Sequence, residues 1–88
     1  MIGVGIVTYD RQEKFDQIVK SVKDVDVVFS IKDGGKPDYS SKVDLQLKQN
    51  KGVGVCKNIA LQHLLDKGCQ HIFLLEDDCL VLDNNVWQ

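Results

Sequence analysis

The sequence predicts a three-layer α/β fold in which a mainly parallel sheet of four strands lies between helices. Three observations carry that expectation. Ile2–Thr8 is an uncharged, β-branched run, the mark of a strand covered on both faces. Strand-like runs alternate with stretches of helical period, an order that requires right-handed crossovers and hence parallel pairing. A last apolar run, His71–Leu75, ends in three consecutive carboxylates, Glu76, Asp77 and Asp78.

The elements follow in chain order. After the first strand, Tyr9, Asp10 and Arg11 turn the chain. Phe15, Ile18, Val19 and Val22 then mark an amphipathic helix over Gln12–Val22, with Asp10 placed at its positive end. Val25–Ile31 reads as the second strand. Lys32, Asp33, Gly34, Gly35, Lys36 and Pro37 close it, because two glycines and a proline forbid continuation. Strict alternation in Val43, Asp44, Leu45, Gln46 and Leu47 predicts a short, more exposed third strand. A second helix runs from about Val55 to Lys67, with Ile59, Ala60, Leu61, Leu64 and Leu65 as its apolar stripe and Gly68 as its stop. His71–Leu75 is the fourth strand. The whole reads as one Rossmann-like αβα domain over residues 1–88, without repeats or linkers.

Composition bounds the function. A chain of 88 residues, 43% apolar and 27% charged, holds one small core. A net charge of −2 and no basic stripe argue against nucleic acid as the main partner. The apolar runs are too short to span a bilayer and the start lacks a cationic leader, so no membrane segment and a cytoplasmic location are expected. Cys56, Cys69 and Cys79 form no Cys-x-x-Cys pair and read as reduced, small apolar fillers. His63 and His71 read as structural, and Trp87 as either packed or exposed.

Parallel sheets gather ligands beyond the carboxyl ends of their strands. Three polar groups fall there: Thr8 and Tyr9, Asp33 and Gly34, and Glu76 to Asp78. Adjacent carboxylates at the end of a buried strand repel one another, so the cluster calls for a hard divalent cation. A carboxylate on a glycine-rich loop accepts hydrogen bonds from a base or ribose, while hard ions bridge diphosphates. Taken singly, Asp33 also reads as a turn residue, and Lys57 and Asn58 as solvated helix-start residues.

The segments Ile2–Arg11, Ser30–Gly35, Gly52–Ala60 and Phe73–Asp78 together resemble the ordered motifs of GT-A-fold glycosyltransferases, especially the family 2 type. That family shows a Thr-Tyr-Asn-Arg-like segment, an Asp-Gly-Ser-like loop, a Gly-x-x-x-Arg-Asn helix start and an Asp-x-Asp-type metal motif. The resemblance implies a truncated GT-A fold that binds a nucleotide-diphospho-sugar, a UDP-sugar favoured, for transfer to an acceptor glycan or other hydroxyl compound. It implies Thr8, Tyr9 and Asp33 as base contacts, Gly34 and Asp77 within the same nucleotide site, and Lys57 where an arginine is common. Asp78 would hold Mn2+ or Mg2+, with Glu76 in the first acidic place. Asp10, Lys32, Gly35 and Glu76 depart from the usual residues at their positions.

In that family the acceptor site and catalytic base lie beyond the metal motif, and ten residues follow Asp78. The expectation is therefore a donor-binding half whose catalytic residue is unknown. Two alternatives stand beside it: a non-catalytic nucleotide-binding module or inactive fragment, and, further off, a phospho-receiver-like domain. An uncovered sheet edge makes a homo-oligomer a further expectation.

Overall fold

The computed structural model describes residues 1–35 and 43–87. The predicted loop residues Lys36 and Pro37 lie outside them. Strand β1 spans Ile2–Thr8, helix α1 Gln12–Ser21, β2 Val27–Lys32, β3 Leu45–Gln46, α2 Val53–Asp66 and β4 His71–Glu76. A 3-10 turn, Asn84–Trp87, follows. The sheet is wholly parallel in the order β3-β2-β1-β4, as the alternation of elements predicts.

The departures of β2, α1 and β3 from their expected boundaries have local causes. Strand β2 starts late because Asp24 takes a left-handed turn (φ 63°) and Asp26 spends its carboxylate on the Ile2 N–H. Helix α1 stops at Ser21 because Val22 is already extended. Strand β3 is only two residues long. Beside it the Asp44 N–H still donates to Ser30 O at 3.1 Å, but the Asp44 carboxylate accepts the Ser30 N–H at 2.7 Å and the Ser30 hydroxyl at 3.1 Å, so a side chain takes over half of the exchange there.

Two apolar layers enclose the sheet. Phe15 and Ile18 of α1 join Val4, Ile6 and Trp87 on one face, while Cys56, Ala60 and Leu64 of α2 join Val7, Phe29 and Ile31 on the other. The spacing of Cys56, Ala60 and Leu64 selects the buried side of α2, which leaves Leu65 exposed. Val19 is likewise exposed. Both residues were expected in apolar stripes, but each sits about 100° round the helix from a buried neighbour. His63 stacks on Phe29 with ring centroids 4.0 Å apart, a packing role.

Alternating glycines in β1 let α2 approach the central strand. A Cβ on Gly5 would lie 2.9 Å from Leu74 Cδ2 and 3.0 Å from Ala60 Cβ. Gly5→Val is therefore expected to overpack the α2 layer and cost about 2 kcal/mol or more. Urea unfolding reads the loss as a lower midpoint at unchanged slope. Wild-type stability in this variant would refute the close approach.

No helix among the described residues is long and apolar enough to cross a membrane. Trp87 settles its own question by packing: it is buried, its Nε1–H donates to Lys23 O and Asn84 Oδ1 at 2.9 Å, and its ring meets Phe73 edge-on.

Candidate functional site

The chain leaves β1 toward β2 on one side, and β4 lies on the other. This is the topological switch point, where the carboxyl ends of two neighbouring strands splay their following loops and open a crevice. The ends of β1 and β4 bring Thr8, Tyr9 and Arg11 beside Glu76, Asp77 and Asp78.

Asp77 fastens the two ends together. It is only 2% exposed. Its carboxylate accepts the Thr8 hydroxyl at 2.9 Å and the Tyr9 N–H at 3.3 Å, and Arg11 Nε stands 3.3 Å away. Its own N–H donates to Val7 O at 3.0 Å. Tyr9 and Arg11 remain exposed on the rim. Asp77 thus sets their backbone and side-chain directions, while its carboxylate is turned inward.

Asp33 performs the same service for α2. Both of its oxygens accept backbone N–H groups, from Lys51 at 2.6 Å and from Gly52 at 3.0 Å. Gly52 is the N-cap of α2, so the buried Asp33 carboxylate, one residue past β2, takes up the cap's own N–H and supplies the negative charge the helix start favours. Gly34 is left-handed (φ 74°), and a Cβ there would lie 2.6 Å from Asn50 N, so only glycine lets the two loops touch.

Between these groups sits a buried cation. Lys32 ends β2 fully buried, its Nζ 3.4 Å from the Asp10 carboxylate. Asp10 itself is left-handed (φ 48°), and its carboxylate fills the space where a Cβ on Gly35 would fall. The departures at Asp10, Lys32 and Gly35 therefore form one packed unit. Arg11, Lys32 and this linkage were absent from the sequence-derived site; a lysine ending a buried strand was the available signal.

The acidic cluster divides three ways. Asp77 is buried, Asp78 is exposed, and Glu76 stands 3.6 Å from Lys57 Nζ. Among the described residues no three His, Cys, Asp or Glu side chains converge as a metal cage. Asp78 with partly exposed Glu76 still offers hard oxygen donors of the kind that hold Mg2+ or Mn2+ when phosphate and water complete the shell. Lys57 lies close enough to offset the Glu76 charge.

The cysteines differ from the expected uniform filler role. Cys56 and Cys69 are buried and free, whereas Cys79 is exposed. Burial, a hydrogen bond with Asp33 and the Asp33 charge raise the Cys56 thiol from an ordinary 9.0 to about 11. Because only the unfolded chain loses this proton between those values, stability is expected to fall as pH rises from 9.0 to about 11, and to be unaffected below. With a thiol reagent near neutral pH, Cys79 should react at once and Cys56 only on unfolding. Rapid native-state labelling of Cys56 would contradict its packing beneath Asp33.

Comparison with family models, curated proteins and solved structures gives no match to this chain.

Proposed function

We propose that the rim binds a nucleotide-diphospho-sugar, with a uridine diphosphate sugar favoured, through Mg2+ or Mn2+, as the donor side of a glycosyl transfer. The observation that carries this reading is the convergence at the switch point of an exposed ring, two exposed or half-exposed cations and an outward carboxylate. Each has a task. Tyr9 offers a face to the base, Arg11 and Lys57 offer charge to the diphosphate, and Asp78 with Glu76 holds the metal. The metal, when bound, neutralises the departing diphosphate. Asp33 and Gly34 shape the loop against which base and ribose rest, and Thr8 and Asp77 hold Tyr9 and Arg11 in place.

A second reading, a nucleotide-binding module without transfer, draws on the state of the acids. Asp33 and Asp77 are committed to the framework and Asp10 to Lys32, so none of these is a ready base for an acceptor hydroxyl. The two readings share the donor site and separate at turnover.

Calorimetric titration with uridine, guanosine, adenosine and cytidine diphosphates, each with and without Mn2+, tests the shared part. UDP should bind tightest and only with metal. Equal binding without metal removes Asp78 from its role, and no binding of any diphosphate ends the proposal. A radiolabelled-donor assay over several acceptors then distinguishes transfer from binding alone.

A further inference from the structure

Taking the rim as the nucleotide-diphosphate site proposed above, we infer that Lys32 is a positioning residue for it: the buried ammonium draws the Asp10 carboxylate inward and so fixes the directions of Tyr9 and Arg11, without touching the ligand.

Lys32 is set firmly in the sheet. It faces Thr8 in the β1–β2 register, the ladder runs on past it through the Asp33 N–H to Thr8 O at 2.9 Å, and its own carbonyl accepts the Leu47 N–H at 3.0 Å. Its side chain is 0% exposed, and a charge so placed needs an opposite one close by. The Asp10 carboxylate stands 3.4 Å from Nζ, with the Asp10 side chain 32% exposed.

Asp10 meets that ammonium from a left-handed backbone (φ 48°), a region that a non-glycine residue enters at a cost. Gly35 leaves the room for it, since a Cβ there would collide with the Asp10 carboxylate. The residues on either side of Asp10 are the two exposed rim groups. Arg11 is drawn the opposite way, its Nε 3.3 Å from Asp77, which follows β4. In the strand order β2-β1-β4, the loop after β1 is therefore tied on both flanks by pairs of opposite sign, Asp10 to Lys32 and Arg11 to Asp77. A loop pinned on both flanks is set before the ligand arrives, and less ordering then opposes binding.

Stability alone does not account for the pair, because a buried ion pair commonly adds little over apolar groups of similar volume. Lys32→Met keeps the length of the side chain and buries no charge, while the partly exposed Asp10 can turn to water. Asp10→Asn keeps a residue type that tolerates the left-handed region but removes the charge that Lys32 draws.

Lys32→Met, Asp10→Asn and the double variant are compared by calorimetric titration with UDP at saturating Mn2+, by urea unfolding and by backbone amide spectra without ligand. In Lys32→Met the urea midpoint should stay at or above wild type and the Tyr9 and Arg11 amide signals should move. Its UDP affinity should fall about tenfold, with affinity for Mn2+ alone unchanged. A residue that merely stabilised the fold would show the reverse, a lower midpoint and an intact affinity. Because the two side chains act as one, the double variant should bind within about threefold of the weaker single variant rather than with both losses multiplied. Wild-type UDP affinity in either single variant, or multiplied losses in the double variant, overturns the inference and leaves the nucleotide reading standing. If the wild-type chain itself binds no UDP, that reading falls, and unmoved Tyr9 and Arg11 signals in Lys32→Met end the inference with it.

Discussion

Asp77→Ala is expected to cost about 3 kcal/mol of folding stability, a large share of the roughly 5–10 kcal/mol available to a domain of this size. The loss has three parts. The buried Thr8 hydroxyl loses its acceptor, the Tyr9 N–H loses its partner, and Arg11 loses the carboxylate that draws it over the rim. Arg11 is half exposed and recovers much of its loss in water, so the buried hydroxyl and the β1–β4 junction dominate. Asp77→Asn keeps an acceptor but not the charge and should lose about half as much. Urea unfolding of Asp77→Ala, Thr8→Val and the double variant measures the coupling. An Asp77→Ala protein within about 0.5 kcal/mol of wild type would show that the carboxylate does not hold the strand ends.

The fold was legible because its determinants are local. Uncharged runs and helical spacing lie within a few residues of one another, and they recover the two helices and the three long strands. What escaped was long-range. The Asp33 carboxylate reads locally as the end of a turn, yet its partners are the N–H groups of Lys51 and Gly52, far along the chain. Likewise nothing near Asp77 in sequence announces Thr8. A period reports which face a residue occupies but not which distant backbone donor its side chain meets. The same limit explains why three adjacent acids read as one cluster: burial divides them into a structural link, a lysine partner and an outward ligand candidate.

That division makes Asp78→Asn the sharpest test of function. Asp78 is exposed and, among the described residues, its carboxylate meets only the Cys79 thiol, at 4.0 Å, so the variant should melt with wild-type behaviour. Its effect should fall wholly on metal-dependent UDP binding, which is expected to weaken about 100-fold, because a hard ion held by few protein oxygens loses a charged ligand. Glu76→Gln should weaken binding less, about tenfold, since Lys57 already offsets part of the Glu76 charge at 3.6 Å. Lys57→Ala frees Glu76 for the ion but removes a cation from the diphosphate, so UDP affinity should fall while affinity for Mn2+ alone holds or rises. Titrating Mn2+ with and without UDP separates these contributions. Wild-type UDP affinity in Asp78→Asn at saturating Mn2+ would remove the outward carboxylate from the site, and the rim would have to bind its ligand through Arg11 and Lys57 alone.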